Sequence, residues 1–197
     1  VPLDDASAAE LCAVLLAGGR GARLGGVAKA TLQVHGRTLV DRALDALRDA
    51  EPVVVVGDPV PTARAVRFCR EEPAYGGPVA GLFAGLDALG EMGETVGGLP
   101  PLLAVLAVDM PAVDAGTLAR LRAGVGERDG ARLVDDTGRG HLALVLSTAA
   151  LGGVRPPPGE EHGMALHRLL APLDLAGVPA VGQEHHDIDT WADLPPR

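Results

Sequence analysis

Two stretches constrain the fold of this chain more than any other feature: Leu11–Leu16 (LCAVLL) and Leu102–Val108 (LLAVLAV) contain no polar residue. A strand with one face in water alternates apolar and polar side chains, so an unbroken apolar run has no solvent face. It belongs in a sheet covered on both sides. Pro52–Val56 (PVVVV) reads the same way. Val66–Cys69, Arg132–Val134, Leu142–Leu146 and an edge strand at Gly177–Val181 complete the strands. Helices are expected over Thr38–Ala50, where Leu39, Ala43, Leu44 and Leu47 share a face, and over Pro78–Leu89, where proline takes an early position. Further helices are expected from a cap at Asp114 or Thr117 to Ala123, over Met164–Leu173, and from Thr190 to Leu194, with Trp191 packing the last onto the sheet. Gly90–Pro101 and Gly152–Gly163 read as loops. Strands alternating with helices predict a mostly parallel sheet with helices on both faces.

A length of 197 residues suits a single domain over 1–197. With 27 Gly and 16 Pro the chain is too rich in breakers for a helical bundle, and its apolar runs exclude a disordered one. No apolar stretch reaches membrane-spanning length, and the acidic opening VPLDDASAAE lacks the basic start of a signal peptide. Cys12 and Cys69 have no metal-site spacing and read as buried, reduced thiols, which fits the cytoplasm. A net charge of −9 with two Phe, one Tyr and one Trp argues against nucleic acid as the main partner.

Ligands of such sheets bind beyond the carboxyl ends of the strands, which directs attention to the loops after Leu16 and Val108. The first runs LAGGRGARLGGVAK over residues 16–29. Its glycines let main-chain N–H groups approach anionic oxygens, and Arg20, Arg23 and Lys29 reverse the sign of an otherwise acidic chain. It is not a Walker loop, because Ala28 and Ala30 flank Lys29, nor a dinucleotide fingerprint, because the third glycine position falls on Leu24. The second loop places Asp109 directly after an apolar strand; a helix cap is the plain reading, but Asp114 is better placed for that. Near the end of the chain Asp187 and Asp189 alternate onto one face. Thr190 and Asp193 fit a capping box, which leaves Asp189 unexplained. His35, His162, His167, His185 and His186 show no zinc spacing, and His185 and His186 read as solvated.

On the pattern L-A-G-G-R-x-x-R-L-G-x-x-x-K the chain resembles the sugar-nucleotide-type nucleotidyltransferases, and within them the molybdenum cofactor guanylyltransferases of the MobA type, which join GMP to the molybdopterin phosphate. The V-D-M-P segment at Asp109, the D-I-D-T ending at Asp189, the stretch from Glu71 to Gly81 and D-T-G-R-G-H up to His141 extend the resemblance. It implies a Rossmann-like three-layer α/β/α sandwich. It implies that Leu16, Ala17, Gly18, Gly19 and Arg20 lie against the nucleotide, that Arg23 and Lys29 hold its phosphates, and that Asp109 and Asp189 bind Mg²⁺. Lys29, Arg23 and Asp109 would be the catalytic set. Glu72 would read guanine, with Gly57 where relatives often have Asn, and Gly81, Arg139 and His141 would lie on the acceptor side. Implied partners are GTP and molybdopterin, with transient contact to molybdenum cofactor enzymes or their chaperones, and neither nucleic acid nor membrane. The chain departs from the family at Ala28, where Asp is usual, at Gly57, and at Val108, where Cys is frequent. Three alternatives stay open: cytidylyl or other nucleotidyl transfer to a different small phosphorylated acceptor, a nicotinamide-dependent oxidoreductase, and a non-catalytic nucleotide-binding protein.

Overall fold

Leu11–Leu16 forms β1, and its alternation explains why the whole run is apolar. Leu11, Ala13 and Leu15 enter the core on one face of the sheet, while Cys12 and Val14 enter the core on the other. The computed structural model describes residues 10–19, 27–93 and 98–194. After β1 come β2 (Gln33–Val34), β3 (Arg37–Thr38), α1 (Leu39–Ala46), β4 (Val53–Val56), β5 (Arg67–Cys69), α2 (Pro78–Gly93) and β6 (Leu102–Ala107). The second half runs α3 (Ala115–Val125), β7 (Gly130–Val134), β8 (Gly140–Ser147), α4 (Thr148–Gly153), α5 (Leu166–Leu170) and β9 (Leu175–Pro179).

Seven strands form one sheet in the order β5-β4-β1-β6-β8-β7-β9. Within this sheet, among the described residues, only β8 runs against the other strands. α1 and α3 bury Leu39, Val40, Leu118 and Leu121 against one face; α2, α4 and α5 bury Phe83, Leu151 and Leu169 against the other. The three-layer sandwich is therefore present. α2 lies close on β1 because residue 85 is glycine: a Cβ there would stand 2.7 Å from both Val14 methyl carbons. No described helix is long and apolar enough to cross a membrane.

Several boundaries differ from those expected. α1 stops at Ala46 and the chain turns through Leu47–Ala50, with the Leu47 N–H reaching back to Ala43 and Asp45. α2 continues through Gly90 to Gly93, because Leu86, Ala88 and Leu89 hold its last turns in the core. The hairpin β2–β3 turns at His35 (φ 51°) and Gly36 (φ 76°), and α4, capped by Ser147 accepting from the Ala150 N–H, replaces the start of an expected loop. The edge strand β9 begins two residues early, and Val181 is exposed. The C-terminal helix is a short 3-10 turn over Trp191–Asp193 with the expected capping box, but Trp191 is 53% exposed: so short a turn buries no residue. Cys12 is fully buried, and burial pushes its thiol up to about 12, with a backbone hydrogen bond opposing.

One polar node ties the second half together. Glu184 is buried, accepts from the Thr117 hydroxyl at 2.5 Å and the Val181 N–H at 2.7 Å, and takes both bonds of a forked Arg120 contact at 2.9 and 2.6 Å. Burial raises the Glu184 pKa, but Arg120, Thr117 and the Val181 amide outweigh it and hold the carboxyl below its ordinary value. Stabilisation by this group is therefore complete above pH 4.5 and lost as the pH falls below it. Urea titrations should find Glu184→Gln about 2 kcal/mol less stable near neutrality, with the difference from the parent protein shrinking in acid. A constant difference across that range would mean that the charge of Glu184 contributes nothing.

Candidate active site

The strand order reverses at β1, which has β4 on one side and β6 on the other. The crevice beyond the carboxyl ends of such strands is the natural ligand site of an open α/β sheet. The three loops leaving these ends are laced together: the Ala17 N–H donates to the Val56 carbonyl at 2.9 Å, and the Val108 N–H to the Leu16 carbonyl at 3.0 Å. Gly57 has φ 155°, and a Cβ on it would meet the Ala17 carbonyl carbon at 3.1 Å. Glycine at this position is thus required by the close approach of two loops, which gives the departure at Gly57 a local steric reason.

Lys29 opens a 3-10 turn over Lys29–Thr31, whose buried Ala30 anchors it. Its ammonium reaches Asp109 Oδ2 at 2.9 Å and Asp189 Oδ1 at 2.6 Å, with side-chain exposures of 20% for Lys29, 22% for Asp109 and 44% for Asp189. Two carboxylates from distant parts of the sequence thus converge on one cation. Asp109 follows β6 directly. Asp189 is delivered by the C-terminal segment, which lies across that loop: the Ile188 N–H donates to the Asp109 carbonyl at 2.8 Å, and the Ile188 side chain is buried. Asp193 Oδ2 accepts from the Asp189 and Thr190 N–H groups at 3.0 and 2.7 Å, pinning the acid-bearing residue from its other side. Burial works against the charge of Lys29, but its bonds to Asp189 and Asp109, and their charges, outweigh it and hold the ammonium above its ordinary pKa.

Leu16, Gly18, Gly19, Lys29, Asp109 and Asp189 line one cleft of about 620 Å³, and Gly81 and His141 line it as well. Ala17 and Gly57 line an adjoining cleft of about 120 Å³, in which Gly18 and Gly19 also take part. Glu72 and Arg139 are exposed and line neither cleft. Arg20 and Arg23 lie outside the described residues. Glu71, rather than its neighbour, lines both clefts; its Oε1 accepts from the Tyr75 N–H at 2.9 Å, and Tyr75, with φ 66°, lines both clefts too. His185 is half-buried rather than solvated, with its ring 5.8 Å from that of His141. The turn residue Asp135, which the sequence did not single out, pairs with His141.

Both acids present hard oxygen donors at one point, and the phosphates of a nucleotide in the same cleft would complete the kind of ligand set that Mg²⁺ prefers. The residues present therefore fit a divalent ion held jointly by protein and substrate. Among the described residues no group of three or more His, Cys, Asp or Glu could hold a metal by itself.

Residues 13–176 match the family described as MobA-like NTP transferase domain. The chain is 37% identical over 150 residues to a probable molybdenum cofactor guanylyltransferase of Opitutus terrae, covering 74% of this chain and 71% of that relative. It is 40% identical over 125 residues to a molybdenum cofactor guanylyltransferase of Acidiphilium cryptum, covering 60% of each. Among solved structures, the homologue of Mycobacterium tuberculosis Rv0371c from Mycobacterium sp. strain JC1 superposes with a TM-score of 0.70 at 19% identity, covering 94% of this chain and 93% of that one. At that identity the likeness speaks for the fold alone.

Proposed function

The chain belongs to the MobA-like NTP transferase family, and we propose that it moves GMP from GTP to the phosphate of molybdenum-bound molybdopterin, releasing pyrophosphate. The observation that carries this reading is the meeting of Lys29, Asp109 and Asp189 in a cleft at the reversal point of the sheet.

In this reading the nucleotide lies against Leu16–Gly19, where the absence of side chains at Gly18 and Gly19 lets the main chain approach the phosphates. Arg20 and Arg23 add positive charge to the sequence that follows Gly19. Asp109 and Asp189 would hold Mg²⁺, which supplies charge neutralisation at phosphate oxygens when bound. Lys29 neutralises the negative charge that grows as pyrophosphate departs, and its raised pKa keeps it cationic for that task. The acceptor phosphate is already an anion, so the chain need only align it and requires no general base. Glu71 and Glu72 flank the base side, and the lining position of Glu71 favours it as the acid that meets the guanine edge. Gly81 and His141 face the acceptor, with Arg139 on the same hairpin. The unpaired cysteines fit a reducing cytoplasm, the setting we assign to the reaction.

The test is an assay of pyrophosphate release with Mg²⁺, molybdopterin and GTP, CTP or ATP in turn. Release that requires both GTP and molybdopterin is expected. Release with CTP alone would reassign the nucleotide, and GTP binding without transfer would make the chain a nucleotide-binding protein without this activity.

A further inference from the structure

The turn joining β7 to β8 is built around one carboxylate with two separate tasks. Asp135 Oδ1 accepts from the Thr137 hydroxyl at 2.6 Å, the Thr137 N–H at 2.9 Å and the Arg139 N–H at 3.1 Å, which closes the turn. Its other oxygen, Oδ2, takes no part in the turn and lies 3.1 Å from Nε2 of His141. Both side chains are largely enclosed, at 17% and 15% exposure, and His141 lines the large cleft. The bonds from Thr137, together with those from His141 and the Arg139 amide, hold Asp135 well below the usual carboxylate range against the opposing effect of burial.

An ionised carboxylate only accepts, so the proton of a neutral His141 must sit on Nε2. That fixes the tautomer and leaves Nδ1 as the nitrogen for other partners. The ring also lies 5.8 Å, centroid to centroid, from that of His185, which packs edge-on against His186 at 4.4 Å. A phosphate monoester suits such a ring: its singly protonated form donates to Nδ1.

We propose that Asp135 is a positioning residue for the acceptor: it holds His141 by Nε2 so that Nδ1 meets the phosphate monoester of the incoming substrate. The identity of that substrate rests on the function proposed above; the Asp135–His141 arrangement does not.

The experiment compares Asp135→Asn with Thr137→Val, which removes a turn bond to Oδ1 and leaves the Oδ2 contact in place. Nitrogen-15 spectra of the His141 ring are recorded with and without inorganic phosphate, and KM is measured for GTP and for molybdopterin. The parent protein should carry its ring proton on Nε2 and respond to phosphate at Nδ1. Asp135→Asn should lose that tautomer preference, bind phosphate at His141 roughly tenfold more weakly, and raise KM for molybdopterin while leaving KM for GTP unchanged. Thr137→Val should match the parent in all of these. An unaltered tautomer and phosphate affinity in Asp135→Asn, equal weakening in both variants, or no response of His141 to phosphate in the parent protein would each overturn the proposal. If His141 behaves as expected but the parent transfers no GMP to molybdopterin, the proposed function fails and the role of Asp135 stands.

Discussion

Asp109→Ala is expected to lower turnover by about 10²–10³-fold at saturating GTP, acceptor and Mg²⁺, the usual cost of removing one group that stabilises developing phosphate charge. The protein should nevertheless stay folded. Asp109 contributes its carbonyl, not its side chain, to the bond from Ile188 that seats the C-terminal segment, and alanine keeps that carbonyl. Lys29 loses one of two partners and keeps Asp189 at 2.6 Å, so no cation is stranded. Loss of one partly exposed ion pair, with the other kept, should cost up to about 1 kcal/mol, a modest shift in melting temperature. Thermal melts alongside turnover separate the two effects. A folded Asp109→Ala protein turning over within a few-fold of its parent would remove Asp109 from the chemistry, and a collapse in stability would recast it as a structural cap.

The parts of the fold legible in the sequence are those where burial leaves no choice of residue. β1 and β6 feed both cores alternately, so every position in them is apolar, and the loops they launch carry Lys29 and Asp109. The reversed direction of β8 was not legible, because burial on two faces imposes the same apolar pattern whichever way a strand runs. β2 and β3, of two residues each, are too short for any period, and only the pair His35-Gly36, both at positive φ, hints at their turn. At the site, the sequence offers neighbouring carboxylates that only the fold tells apart. Glu71 lines the cleft and Glu72 does not, because the turn at Tyr75 presents the first of them to it. Asp135 closes the β7–β8 turn and reaches His141, while the neighbouring Asp136, which carries the family pattern, is exposed. Composition and spacing see these acids as equivalent; the turn geometry that distinguishes them is set by hydrogen bonds the sequence does not display. Asp189 is legible because the capping box accounts for Thr190 and Asp193 and gives no reason for an acid at position 189.

Lys29→Met should move two measurements in opposite directions. Transfer should fall by about 10²–10³-fold, since a cation is lost from the phosphates. The affinity for a divalent ion without nucleotide should instead rise. In the free protein the Lys29 ammonium lies between the carboxylates, 2.9 Å from Asp109 and 2.6 Å from Asp189, where a divalent ion would have to compete with it. Its raised pKa means that the competitor stays charged at neutral pH. Methionine keeps the length of the side chain without the charge, so both acids lose this cation and attract an ion more strongly. Two partly exposed pairs, each worth up to about 1 kcal/mol, set the gain at roughly tenfold. Mn²⁺ titration followed by electron paramagnetic resonance reads this directly, with no substrate and no turnover. Binding that weakened, or did not change, would mean that Lys29 does not compete for the acids, and the paired carboxylates would lose their standing as the metal-holding residues. Tighter binding joined to lost transfer would mean that Lys29 serves two ends: it competes with the ion for Asp109 and Asp189 in the free protein and acts on the phosphates during transfer.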